Sequence, residues 1–218
     1  MIKGAIFDVD GTLLDTMPFW AGVGSRMLIR SGLTPVEGVD EMVLFMTLEE
    51  SCSFIKNAYS LKQSVEEIKA DVIKEVTDYY LYEAQPKAGI PEFLEGLRAR
   101  GIKMAIATAS DKRLVKASLT RMGLIEYFDE IFTCSELALN KQSGEIYRHA
   151  ASFLGINASE AAVFEDILIA VRSAKGAGFL TVAIEDVESA RDREEIKTIA
   201  DLYIKSPSDF NSFWRFVE

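Results

Sequence analysis

Ile6-Phe7-Asp8-Val9-Asp10-Gly11-Thr12-Leu13-Leu14-Asp15 decides the fold of this chain, because an apolar run stops there on two carboxylates with one residue between them. Ala5, Ile6 and Phe7 read as a short buried strand, and Gly11 with Thr12 supplies the turn that ends it. Strand side chains repeat with period 2, so Asp8 and Asp10 leave the strand on the same side, at its carboxyl end. In open parallel α/β sheets, ligands bind at that edge. The same letters also suit an Asp-rich turn, since Asp and Gly favour loops for local reasons.

After Asp15 the pattern turns helical and stays so for about seventy residues, counted by its apolar spacing. Asp15 and Thr16 are capping types and Pro18 falls in the first turn of a segment predicted to run to Arg30. Gly32, Pro35 and Gly38 break it, and helices are predicted over Val39 to Met46 and Leu48 to Tyr59. Ser64 caps a further helix as a capping box with Glu67, and Val65, Ile68, Val72, Val76, Tyr79 and Tyr80 share its apolar face. Pro86 and Gly89 end that helix. With no strand candidate inside it, this block reads as a small helical bundle inserted after the first strand. Phe19, Trp20, Phe45, Met46 and Phe54 suit either the bundle's own core or a pocket for an apolar substrate.

From Pro91 onward helices and strands alternate. Strands are predicted over Lys103 to Thr108, Glu130 to Thr133, Ala161 to Phe164, Leu180 to Ile184 and at Tyr203 and Ile204. Helices are predicted over Glu92 to Arg100, Ser110 to Met122 with Ser110 as cap, Gly144 to Leu154, Leu168 to Ala174, Val187 to Ile199 and Asp209 to Val217. Such alternation implies a parallel sheet covered on both faces. The expected architecture is an α/β, Rossmann-like core of residues 1–15 and 86–218, interrupted by an α-helical cap domain of residues 16–85.

Composition narrows the function. The net charge of −10 argues against a general nucleic-acid or anionic-membrane binder, both of which need clustered positive charge. No apolar run approaches a membrane span, and Met1-Ile2-Lys3-Gly4 enters a strand without a charged-then-apolar leader, so a cytoplasmic protein is expected. Cys52 and Cys134 match no metal or redox spacing and read as small hydrophobes. The single histidine, His149, lies in a helical segment with no partner motif and reads as a surface or packing residue, which leaves proton transfer to carboxylates.

Other strand ends offer groups that would complete a site. Thr108, Ala109 and Ser110 follow a buried strand just before a helix, where hydroxyls and backbone N–H groups suit phosphate oxygens; Thr108 is read as functional and Ser110 as the cap. Lys141 stands between the loop Leu137 to Asn140 and the helix near Gly144. Glu165-Asp166 ends one strand and opens a helix, where Asp166 also suits an ordinary helix cap. Two acidic pairs meeting at one edge repel unless a hard divalent cation neutralises them, and a site of few carboxylates suits Mg²⁺.

In this order, Asp8/Asp10, Thr108, Lys141 and Glu165/Asp166 resemble the haloacid dehalogenase superfamily, over essentially the whole chain. The resemblance is nearest to the subgroup with a helical cap after the first strand, which includes phosphoglycolate phosphatase-like enzymes and β-phosphoglucomutase. It implies that Asp8 is the nucleophile and Asp10 the general acid and base. It also implies that Thr108 and the N–H of Ala109 hold the phosphoryl group and that Lys141 bridges phosphate and Asp8. Asp8, the carbonyl of Asp10 and Asp166 would then hold Mg²⁺, with Glu165 either a further ligand or a group behind the ligands. The activity implied is hydrolysis of a small phosphorylated metabolite through an aspartyl-phosphate; the sequence sets no oligomeric state, and a monomer is compatible with it.

Departures from the family pattern are Gln142-Ser143-Gly144 in place of Pro-x-Pro after the lysine, Ile167 for a serine and Ala170 for a glycine. A sugar phosphomutase of the β-phosphoglucomutase kind is the alternative. Its cap carries a histidine and an arginine where this chain has Trp20 and the Thr47-Leu48-Glu49 stretch, which favours water as acceptor. Dehalogenases of the superfamily lack the second aspartate, so Asp10 argues against them. A regulatory protein on the same fold is the alternative from another class. A cap on hinges is expected to move about Thr12 to Thr16 and Gln85 to Ala88.

Overall fold

The sheet strands are short apolar runs that alternate with helices, and they associate as that alternation dictates. In the computed structural model, which describes residues 2–43, 46–206 and 209–217, six strands form one parallel sheet in the order β3-β2-β1-β4-β5-β6. These are β1 (Gly4–Phe7), β2 (Lys103–Thr108), β3 (Glu130–Thr133), β4 (Ala161–Glu165), β5 (Leu180–Ile184) and β6 (Leu202–Ile204). The order reverses between β1 and β4, the topological switch point at which open α/β sheets place ligands. Phe7 pairs with Ile106 on one side and Phe164 on the other, which aligns the carboxyl ends of β1, β2 and β4. The Rossmann-like α/β fold is the one expected from the sequence.

The chain divides into two compact units, Met1–Met17 with Ala84–Glu218, and Pro18–Glu83. In the sheet unit, period 2 sorts β1 between two cores. Phe7 stacks on Phe164 at 4.4 Å between ring centroids, with Phe93 edge-on to both and Phe213 tilted against Phe164. Ile6 faces the other way and packs with Ala105, Val163 and Tyr147. Four further helices of this unit are α6 (Ile90–Ala99), α7 (Lys112–Arg121), α8 (Cys134–Leu137) and α9 (Glu145–Leu154). The last three are α10 (Leu168–Gly176), α11 (Arg193–Ile199) and α12 (Phe210–Val217).

The helical unit holds α2 (Val23–Arg30), α3 (Val39–Val43), α4 (Leu48–Ala58) and α5 (Val65–Asp78), around Met27, Leu28, Val39, Cys52, Ile55 and Ile68. The expected capping box opens α5: the Ser64 hydroxyl accepts from Glu67 N–H at 3.2 Å and Glu67 accepts from Ser64 N–H at 2.7 Å. Of the aromatic residues weighed as pocket or core, Phe19 is buried and stacked on Tyr79, Phe54 packs on the unit's core and Met46 is exposed. Trp20 Nε1 donates to the Tyr80 hydroxyl at 3.2 Å, and Phe45 lies outside the described residues.

Several local expectations change. The helix predicted through Arg30 is two, α1 (Met17–Ala21) and α2, because Gly22 interrupts it and serves as the N-terminal boundary of α2. Helix α7 begins at Lys112 and is capped by the Asp111 carboxylate, which accepts from Arg113 N–H at 2.8 Å; Ser110 is therefore not the cap. The helix predicted from Val187 is a short 3-10 turn at Ala190–Asp192 followed by α11. Among the described residues no helix is long and apolar enough to cross a membrane. His149 is exposed, its ring edge-on to Phe132 at 5.0 Å, and both cysteines are free.

Candidate active site

Asp8 follows β1 directly, and its backbone N–H still donates to Phe164 O at 3.0 Å, so the parallel pairing with β4 carries it next to Glu165. Past Asp8 the chain curls tightly. Leu13 and Leu14 N–H both donate to Val9 O, at 2.9 and 2.8 Å, and Gly11 takes φ +79°, a conformation that favours glycine. A Cβ at Gly11 would stand 2.2 Å from Asp166 Oδ2. The turn therefore needs glycine twice, for its backbone and for the room that Asp166 occupies.

The carboxyl ends of β1 and β4 bring three acids together. Asp8, Glu165 and Asp166 are all buried, and each offers a carboxylate oxygen within 4.8 Å of the others. Lys141, itself buried, lies between two of them, with Nζ 2.5 Å from Asp8 Oδ1 and 2.7 Å from Glu165 Oε1. The lysine loop is fastened from behind by the Ser173 hydroxyl, which donates to Lys141 O. Gly144, two residues after Gln142, packs so closely that a Cβ would lie 2.7 Å from Ser173 O. The departure Gln142-Ser143-Gly144 thus keeps the loop in place by close approach where the family often uses prolines.

One buried ammonium faces three buried carboxylates, and the protonation equilibria register the surplus. Burial, then Glu165, push Asp8 up to about 7, although Lys141 pulls the other way. Asp166 is raised for the same reasons, burial first and then Asp8 and Glu165. Burial lowers the Lys141 ammonium, but Asp8 and Glu165 together outweigh it, so the net shift is upward and the lysine stays charged. Burial and then Glu165 raise the Tyr147 phenol, which remains a donor.

Glu165 Oε2 and Asp166 Oδ2 are buried without a hydrogen-bond partner. Buried carboxylate oxygens are costly to leave unpaired, and an all-oxygen anionic donor set is what a hard divalent cation takes. The residues present fit such an ion.

Asp10 goes elsewhere. Its carboxylate accepts the Thr16 hydroxyl at 2.6 Å on Oδ1 and the Ser110 hydroxyl on Oδ2, so its side chain lies outside the three-acid cluster. Ser110, expected to cap a helix, instead ties the β2 edge to the first turn. Thr108 is buried at the end of β2 and accepts from Ser110 N–H at 3.1 Å, while Ala109 is exposed beside it. Sequence reasoning missed Thr12, Thr16, Ser110 as a partner of Asp10, Tyr147 and Ser173. Thr12 donates to Asp166 Oδ1 at 3.3 Å, across 154 residues, and Tyr147 to Glu165 Oε1 at 2.6 Å. Thr12 lies in the Asp-rich stretch and Thr16 directly follows it, the one signal that could have found them.

Residues 5–184 match the sequence model of haloacid dehalogenase-like hydrolases. The chain belongs to that family. Among similar proteins, a phosphorylated carbohydrates phosphatase of Thermotoga maritima is 28% identical over 177 residues, covering 81% of this hydrolase and 82% of the relative. An N-acetylmuramic acid 6-phosphate phosphatase of Pseudomonas aeruginosa is 26% identical, covering 84% and 81%. A Thermotoga maritima crystal structure, provisionally named a β-phosphoglucomutase, superposes with a TM-score of 0.87 at 25% identity, covering 100% of both chains.

Proposed function

We propose that this hydrolase is a Mg²⁺-dependent phosphatase that cleaves small phosphate monoesters, sugar phosphates first among them, through an aspartyl-phosphate on Asp8. The observation that carries this reading is the lysine-bridged acid cluster: a carboxylate at the sheet's switch point, one ammonium beside it, and two buried carboxylate oxygens without partners. Asp8, Asp166 and Glu165, with the carbonyl of Asp10, would hold the ion. Bound there, it supplies the positive charge that keeps Asp8 ionised and offsets the incoming dianion.

In the first step an Asp8 oxygen bonds to phosphorus as the ester P–O bond breaks, and the leaving oxygen takes a proton from Asp10. In the second, Asp10 takes a proton from water, whose oxygen bonds to phosphorus as the Asp8–phosphorus bond breaks. Phosphate leaves and Asp8 is restored. Thr16 and Ser110 each donate to one Asp10 oxygen, which orients the carboxyl group and leaves each oxygen a second lone pair for the proton it exchanges. Lys141 holds Asp8 in line and stabilises charge on the phosphoryl oxygens. Thr108 and the N–H of Ala109 supply neutral donors to the same oxygens.

The helical unit is read as the substrate-selecting cap. The likeness in fold to a β-phosphoglucomutase raises the mutase as second reading. Against it, the Trp20 indole is committed to Tyr80, and the Thr47 hydroxyl caps α4 with Glu50, so neither position offers a cation for a second phosphate. The test is phosphate release from a panel of monoesters with and without Mg²⁺, beside Asp8→Asn. The expected result is Mg²⁺-dependent release, strongest on a sugar phosphate, reduced at least about 10³-fold by the substitution. A bisphosphorylated sugar as product supports the mutase, and an inactive parent chain the regulatory alternative.

A further inference from the structure

Glu165 stands two residues beyond Val163 on β4, and Val163 packs against α9, so period 2 directs Glu165 to the same side. There its Oε1 receives two donors, Lys141 Nζ at 2.7 Å and the Tyr147 hydroxyl at 2.6 Å, while Oε2 receives none. Tyr147 lies in the first turns of α9 and is fully buried among Ile6, Ala105, Ala150 and Val163, with Phe179 edge-on to its ring at 6.2 Å. Nothing in that apolar setting requires a phenol. A phenylalanine would fill the same space, and the hydroxyl's hydrogen bond is to Glu165. The chemistry set out above gives Tyr147 no step.

We propose that Tyr147 is a positioning residue for the cation site: with Lys141 it holds Glu165 by Oε1, so that Oε2 stays turned toward a divalent ion shared with Asp8 and Asp166. This rests on the metal reading of the site. Without the phenol, Glu165 is held by the lysine alone and can swing either oxygen toward it. Groups that orient a metal ligand commonly change affinity 10–100-fold when removed, by about that factor in other sites.

The test is Mn²⁺ binding to the full chain, read from the loss of the free-ion EPR signal, for the parent, Tyr147→Phe and Phe179→Leu. The second variant loosens the packing of the same ring without touching Glu165. The expected result is binding about tenfold or more weaker in Tyr147→Phe, with its circular dichroism unchanged, and parental affinity in Phe179→Leu. Parental affinity in Tyr147→Phe overturns the inference. Equal weakening in both variants also overturns it, since the ring's packing and not the hydroxyl would then matter. A parent chain that binds no Mn²⁺ overturns the metal reading, and this inference with it.

Discussion

Among the described residues two glutamates are buried, and their surroundings differ in a way that separates a fastening from a candidate site. Glu75 of α5 is 3% exposed and has both oxygens engaged, Oε1 by Arg26 Nε at 2.5 Å and Oε2 by Arg30 Nη1 at 2.6 Å. The two arginines reach on to Glu83 and Asp78, and Lys74 also pairs with Asp78, so three cations meet three acids. Glu165 of β4 is fully buried and shares a single lysine with Asp8, beside Asp166. Glu75 therefore sits in a closed network, whereas Glu165 sits in one with negative charge left over. That surplus is relieved by a proton, as the raised Asp8 and Asp166 register, or by the cation proposed for the site.

The contrast breaks most sharply if the two glutamates are neutralised. Glu165→Gln is expected to weaken Mg²⁺ or Mn²⁺ binding at least about a hundredfold, or about 2.7 kcal/mol, while changing the unfolding free energy of the metal-free chain by less than about 1 kcal/mol. The lysine keeps Asp8, and one like charge is gone. Glu75→Gln is expected to do the reverse. It should cost about 2 kcal/mol in denaturant unfolding, as charged hydrogen bonds to two half-exposed arginines are lost, and leave metal affinity as it was. Calorimetric titration and urea melts on both variants decide it. Equal loss of stability in the two would show that the Glu165 cluster is only another fastening.

The same contrast explains what the sequence could reveal. Lys103 to Thr108, Glu130 to Thr133 and Leu180 to Ile184 are legible because a buried parallel strand is a short apolar run bounded by turn residues, and the structure has strands over those residues. Asp8, Glu165 and Asp166 are legible as candidates because acids that end such runs sit at the sheet's binding edge. Tyr147 is not, because within α9 it reads as one more apolar-face aromatic; its role appears only when β4 brings Glu165 against it. Ser110 suits a helix start equally well as cap or as donor, and Asp111 takes the first task. Glu75 looks like any helical glutamate until α2 supplies Arg26 and Arg30. Partners fixed by tertiary contact carry no periodic signal.

Stability against pH is the most direct reading of the charge surplus. An acid whose folded pKa is raised binds its proton more tightly when folded, so stability increases as pH falls through that pKa and levels off below the unfolded value. For Asp8, lifted from 3.8 to about 7, the window runs from about pH 7 down to about pH 4. In that window the metal-free protein should gain up to about 1.4 kcal/mol per pH unit from this group before other carboxylates act against it. Paired surface acids give the opposite slope: Lys3 holds Glu160 down to about 2, and that contribution is lost only as pH falls below the usual carboxylate range. Urea melts in chelator at pH 8, 7, 6 and 5 should therefore show stability rising toward pH 6, and saturating Mg²⁺ should flatten the rise, because the ion then replaces the proton. A metal-free chain most stable at pH 8 would mean that Lys141 alone balances Asp8, and the surplus that distinguishes Glu165 from Glu75 would vanish.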